Sequence, residues 1–335
     1  MGGKHWSGGV GGAALIALVA AALLTAPGNL KAAVIVFVES GDNATGASGS
    51  SAYGWANDNG AVAAPGLPPT DLQFLGSENW GSARGRSSDV NLGAFALSST
   101  PSAEYSRGIV TFTDQVQING PLTIDLQLGI GGLGTTLSDP SRGSAVANLY
   151  LDFLLSIPNP FDFPVEGFPP LGAPIPLAAR YFEAYALHDE EYVEQGYRIY
   201  DSLFAGPIQS DIGNFSFLSS SFVFDPSLDF TVQFIQLLFP DQPIVYDVTL
   251  RLTAEAECDA PNDVQCVARA NAFSSASAKF TGDYVSVGGS TYPGLQQEPS
   301  AVPEPGSLAL LGGGLLVLAM SKVRRLVRSL LLSGL

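Results

Sequence analysis

"GIVTFTDQVQINGPLTIDLQLGIGG", residues 108–132, decides the fold class. In its first half Val110, Phe112, Val116 and Ile118 alternate with Thr and Gln. In its second half Leu122, Ile124, Leu126, Leu128 and Ile130 alternate with Thr123, Asp125 and Gln127. A side-chain period of two is that of a strand buried on one face. Asn119-Gly120, between the halves, is a preferred dipeptide of a two-residue turn, so the stretch predicts a β-hairpin.

The same pattern continues outward. "SAVANLYLDFLLSI" (144–157), "PLAARYFEAYALH" (176–188), "FSFLSSSFVFD" (215–225) and "DFTVQFIQLLF" (229–239) read as further strands, the second of them with a helical alternative. "IPNPFDFPVEGFPPLGAPIP" (157–176) carries seven prolines, which remove amide donors and fix φ, so it predicts a stiff exposed connection or a proline-aromatic docking segment. Residues 40–71, rich in Gly, Ala, Ser and Asn, predict long loops or a loosely structured opening. Within them Asp58, Asn59 and Gly60 match part of a calcium loop but lack its spaced acids and closing Glu.

Composition agrees with a strand-rich domain that has a real core. Of 335 residues, 46% are apolar, with 19 Phe and 11 Tyr, while only 14% are charged and Gly (38) and Pro (23) supply turns. Between residues 33 and 302 nine basic side chains stand against thirty acidic ones. Such a surface repels a phosphate backbone, which excludes nucleic acid as a partner.

Cys258 and Cys266 are the only cysteines, separated by the turn-rich "DAPNDVQ". In an exported chain they predict a disulfide. If they pair directly across a hairpin, the register sets Ala256 against Ala268, Leu252 against Ala272 and Glu255 against Arg269. A metal-thiolate site needs more ligands than two cysteines supply.

The two ends read as addresses. Lys4, the apolar run Ala13 to Leu24 and the small residues Ala32 and Ala33 form the three parts of a secretory signal, with cleavage near Ala32 or Ala33. Near the other end Val302, Pro303, Glu304 and Pro305 precede an apolar, Gly-rich stretch from Leu308 to Met320, roughly 20 Å long as a helix. Arg324, Arg325 and Arg328 follow as a membrane stop, which the positive-inside rule leaves in the cytoplasm. The prolines keep the stretch outside the membrane from continuing the helix, leaving an extended peptide for a processing enzyme.

In these residues, about 302–328, the chain resembles the PEP-CTERM sorting-signal family, although "SLLLSGL" runs on beyond Arg328. The resemblance implies recognition by exosortase, a membrane-embedded transpeptidase-like enzyme of Gram-negative bacteria that often make exopolysaccharide. It implies an inner-membrane-tethered intermediate with transient membrane residence, then release to the cell surface or extracellular matrix, with exopolysaccharide as a candidate partner.

Catalytic motifs are sparse. His188, beside Asp189, Glu190 and Glu191, is the histidine left once the leader carrying His5 is removed, and neither a G-x-S-x-G elbow nor a free exported cysteine accompanies it. Consecutive residues on a strand alternate faces, so those acids read as a solvated turn rather than a cation site. The expectation is therefore no catalytic residue, no metal and no cofactor. Trp55, Trp80 and Tyr105 are candidates for sugar stacking if exposed.

The expected organisation is a signal peptide (1–33), a mainly-β exported domain (34–290) of β-sandwich or jelly-roll type, a linker (291–302) and a sorting signal with a transmembrane helix (303–328). The expected role is structural or adhesive, at the cell surface or in a biofilm matrix. A carbohydrate-binding module or a matrix polysaccharide hydrolase is the alternative, the latter needing two carboxylates about 5 to 10 Å apart in a groove.

Overall fold

The computed structural model describes residues 32–57, 60–65, 79–100, 105–160, 173–201, 206–213 and 215–295. The chain opens with β1 (Ala33–Ser40), β2 (Asn43–Gly49), β3 (Ser51–Asn57) and β4 (Gly60–Pro65). It continues through β5 (Trp80–Arg86) and β6 (Asn91–Ser99) into β7 (Ser106–Gly129), a strand of 24 residues. β8 (Gly132–Leu137), β9 (Ser144–Pro158), β10 (Pro174–His188), β11 (Val193–Asp201), β12 (Pro207–Ile212) and β13 (Phe217–Phe224) follow. A short helix, α1 (Phe230–Leu238), precedes β14 (Tyr246–Asp259) and β15 (Cys266–Ser286). The fifteen strands form one large antiparallel sheet, so the mainly-β expectation holds.

The expected hairpin at Asn119-Gly120 does not form; residues 106–129 run on as one strand. A two-residue hairpin is closed by an amide of the residue after the turn, and here that residue is Pro121, which has none. Neither Asn119 nor Gly120 takes a positive φ. Instead Leu122 pairs with Gly282 and Ile118 with Tyr284, so three residues of β7 face the single Asp283 of β15. Two surplus residues preserve the alternation, and the same face of β7 stays buried on both sides of this bulge. β15 accompanies β7 on both sides of the bulge, taking over from β1 after Thr113, while on the other pairing β14 reaches Val116 and β13 begins at Leu122.

The expected loops over 40–71 are corrected for the described residues 40–57 and 60–65, where three strands form, and 58–59 and 66–71 lie outside the described residues. Ser40 pairs with Asn43 around Gly41, whose φ of 53° suits a tight turn, and β3 pairs with both β4 and β5. Gly and Ala have poor strand propensity, but here their smallness is what the packing requires. A Cβ on Gly81 of β5 would lie 2.7 Å from the carbonyl oxygens of Arg107 and Glu39, and one on Gly108 of β7 only 2.1 Å from that of Ser82. These are approaches between strands that share no hydrogen bonds, far closer than the usual ~10 Å between packed sheet faces. Ala52, Ala56, Ala83, Ala94, Ala96, Ala268 and Ala270 are buried in the same region.

The third correction is 229–239, which is helical rather than extended. Asp229 caps α1, its Oδ1 accepting from the Val232 amide at 3.0 Å, and Val232 and Ile235, three residues apart, form its buried side. The proline-rich connection joins β9 to its antiparallel neighbour β10; Pro158, Pro174 and Pro176 lie inside those strands, with a register shift after Pro176, and residues 161–172 are outside the described residues. Residues 1–31 of the expected signal segment and the expected transmembrane stretch are outside them too, while Ala32 and Ala33 are described, Ala33 opening β1. Among the described residues no helix is long and apolar enough to cross a membrane.

Candidate functional sites

The β unit ends at Leu295. Tyr292 is buried with its ring stacked on Phe280 at 3.9 Å and Tyr284 edge-on at 5.8 Å. Its hydroxyl donates to Asp114 Oδ2 at 2.7 Å. Burial, then the neighbouring Asp114 charge, holds the Tyr292 phenol well above its ordinary range, so it stays a donor. Asp114, itself buried, also accepts from Ser286 Oγ (2.7 Å), the Gln115 amide (2.8 Å) and the Gly288 amide (3.2 Å). The Leu295 amide donates to Gln127 Oε1 at 2.6 Å. Residues 291–295, expected to open the linker, are thus part of the packed unit. The sorting residues Val302, Pro303, Glu304 and Pro305, and Arg324, Arg325 and Arg328, fall outside the described residues.

Cys258 and Cys266 are disulfide-bonded as expected, with Cα atoms 6.0 Å apart, but the strands that carry them do not pair. β14 lies between β7 and β9, and β15 between β6 and β8 over residues 266–271, so both edges of each strand are already taken. Ala256 therefore faces Ser106 and Ala147, while Ala268 faces Ser98 and Thr135. Glu255 meets Arg107 at 3.8 Å rather than Arg269, and Arg269 sits over the Phe95 ring at 5.9 Å. The bond ties together two parts of the sheet that no ladder joins.

The outer face of β9, β10, β11 and β14 is the richest in functional groups. Tyr181 lies between Tyr150 (5.9 Å, 21° between planes) and Tyr200 (5.6 Å), on three neighbouring strands. Arg251 pairs with Asp152 at 3.3 Å and Arg198 with Glu183 at 3.5 Å. Tyr150 and Tyr181 are diagonal neighbours across the β9–β10 ladder, and their nearly parallel rings stack on each other. That is cross-strand packing; a sugar platform lays its rings flat. Burial pushes the Tyr150 phenol up to about 12 and raises Tyr181 further. Asp152 is also raised by burial, against the opposing pull of Arg251.

Trp55 and Trp80 meet as expected sugar-stacking candidates only in part. Their rings stack at 5.3 Å and 8°, and Trp80 is buried, so one face of Trp55 is already used. Tyr105 lies under the Arg107 guanidinium at 5.5 Å. His188 ends β10, and Asp189 behind it accepts from the amides of Glu191 and Tyr192 at 2.9 and 2.7 Å, a self-capped exposed turn. Asp58 and Asn59 are outside the described residues.

A polar cleft of roughly 700 Å³ opens where the β7 bulge meets the segment around α1, walled by Gln117, Asn119, Asp225, Gln236 and Gln242. Its amides, the Asp225 carboxylate and the Ser227 hydroxyl, which donates to Asp225 Oδ1 at 2.7 Å, can hydrogen-bond a polar solute, and Asp225 is the one acid among its lining residues. Among the described residues no group of three or more His, Cys, Asp or Glu side chains could hold a metal ion. The β7 bulge was the feature that sequence reasoning missed, and Pro121 directly after Asn-Gly was its signal.

The described region is a disulfide-closed, mainly-β unit. The chain matches the PEP-CTERM protein-sorting motif over residues 301–325. It is therefore a PEP-CTERM-containing protein, exported and addressed to exosortase. No curated protein and no solved structure matches the chain.

Proposed function

We propose that this protein is a structural or adhesive component of the cell surface or extracellular matrix of a Gram-negative bacterium. A signal peptide starts export, the apolar stretch 308–320 and Arg324, Arg325 and Arg328 stop it in the inner membrane, and exosortase cuts at the Val302-Pro303-Glu304-Pro305 handle. The observation that carries this reading is the sorting-motif match at 301–325, placed directly before an apolar run and an arginine cluster.

The architecture fits a passive extracellular part. β5 and β6 lie against β1 and β7 through Gly81, Gly85 and Gly108 without sharing a ladder with them, and a sheet folded back on itself in this way supports the β-sandwich reading, at a closer approach than two ordinary layers. A close Ala- and Gly-lined contact between those strands, a covalent cross-link and an outer face carrying ion pairs and stacked tyrosines favour endurance over chemistry. Exopolysaccharide is the partner this location suggests. Fractionating the native host tests the proposal. Recovery of the β unit with matrix material, and retention of a Pro303→Ala/Pro305→Ala variant in the inner membrane, is the expected result; recovery of the unaltered protein from the cytosol would overturn it.

A further inference from the structure

Asp114 is the most deeply buried acid of the described residues, only 4% exposed, and among those residues no Lys or Arg forms an ion pair with it. Its four hydrogen bonds come from neutral donors: two amides, Ser286 and Tyr292. A buried carboxylate with donors but no counter-charge is costly, and such groups are commonly paired. The nearest chain segment that could deliver a cation is the start of the β unit. Ala33 faces Thr113 in the ladder, so Ala32 comes next to Asp114. A Cβ on Gly288 would sit 2.3 Å from the Ala32 nitrogen and 2.4 Å from Asp114 Oδ1, which places those two atoms within about 5 Å of each other. Ala32 is itself buried there, and the lack of a side chain on Gly288 keeps the space open.

We propose that the leader is removed at Ala32 or Ala33 and that the α-ammonium group so created pairs with Asp114. Hydrolysis of the peptide bond consumes one water; the new carboxylate leaves with the leader and the new amine on the β unit takes up a proton. A cut after Ala32 satisfies the preference for a small residue before the scissile bond and moves the amine by about 3.5 Å, into the space Ala32 vacates. Processing would thereby complete the cluster of Asp114, Ser286, Gly288 and Tyr292 that fastens the last residues of the unit, so that the trimmed N-terminus braces the point from which the sorting tail departs.

This rests on the export reading above, and two measurements separate its failure from that one. Intact mass of the exported protein must show a chain beginning at Ala32 or Ala33; a chain cut elsewhere, as before Pro27, or uncut, overturns the pairing even if the protein is exported. The second measurement compares melting of the mature full chain with one carrying two extra N-terminal glycines, in native and Asp114→Asn backgrounds. The extension should lower Tm by about 5 °C or more with Asp114 present and leave the Asn variant unmoved. Equal shifts in both backgrounds overturn the proposal.

Should Asp114→Asn fail to fold, pH replaces it. An ion pair raises the α-amino pKa above its ordinary range of about 8, so the advantage of the mature over the extended chain is full below that range and fades as pH climbs through the raised value. The other titratable groups around Asp114 are Tyr292 and Tyr284, both shifted upward and neutral there, and Asp247, hydrogen-bonded to Gln115 and raised by burial. An advantage that does not change with pH overturns the pairing.

Discussion

Between residues 302 and 328 function is written in order along the chain, whereas between Ala32 and Leu295 it is spread over strands that meet only in three dimensions. The tail works as an address: a few proline, apolar and arginine residues whose sequence order is their meaning. The β unit works as a body, where Gly108 matters because a carbonyl of Ser82, distant in sequence, leaves no room for a methyl group. Damage to the first should change where the protein goes and not how stably it folds. Damage to the second should do the reverse.

The largest stability effect is expected at that crossing. Gly108→Ala forces a methyl into main-chain atoms of β5 and β6, which no side-chain rotation relieves, and should cost about 3 kcal/mol or more. Chemical denaturation measures it, and a loss below about 1 kcal/mol would mean that β7 is not in close contact with β5 and β6. Replacing Cys258 and Cys266 by Ser should cost about 2 to 3 kcal/mol, because the closed loop is short and both sulfurs are buried. Neither change should alter tail processing if the folded fraction is exported. If export and cleavage fell in proportion to stability alone, the separation of address and body would be too sharp.

Asp229→Ala removes the cap of α1 and should cost about 1 kcal/mol. Asp229→Asn should restore most of it. The smallest effect expected is a pH dependence. Burial raises the carboxyls of Asp152, Asp247 and Glu257, so the folded unit holds their protons more tightly than the unfolded chain does. The stability this contributes is present below the unfolded carboxylate range and lost as pH rises through the raised values. Tm should therefore increase modestly when pH falls from 7 to about 5, helped by the shrinking negative charge. The exposed Asp263, held low by its hydrogen bond to Arg142, opposes this weakly. A Tm that falls over the same interval would show that such opposing carboxylates dominate.

Strand content was legible because alternation is local. Val110 to Ile130, Ala145 to Ile157 and Tyr246 to Ala256 each show their buried face in the sequence. Turn chemistry was legible only where the next residue was read as well: Asn119-Gly120 fails as a turn because of Pro121, while Gly41-Asp42, overlooked in a Gly- and Ser-rich stretch, makes a tight one. The disulfide could be read from two cysteines, but not that β14 and β15 lack a common ladder, since pairing depends on which other strands occupy their edges. The tyrosine row of Tyr150, Tyr181 and Tyr200 was hidden for the same reason, its members lying on three strands brought together by register. Asp229 ahead of Val232 and Ile235 was a helix start in plain view, masked by the apolar run behind it.

Intact-mass analysis of the protein from its native host, beside the same host without exosortase, bears most directly on the sorting function. The account predicts that everything after roughly Pro305 is missing only when the enzyme is present. Identical masses in the two hosts would contradict it.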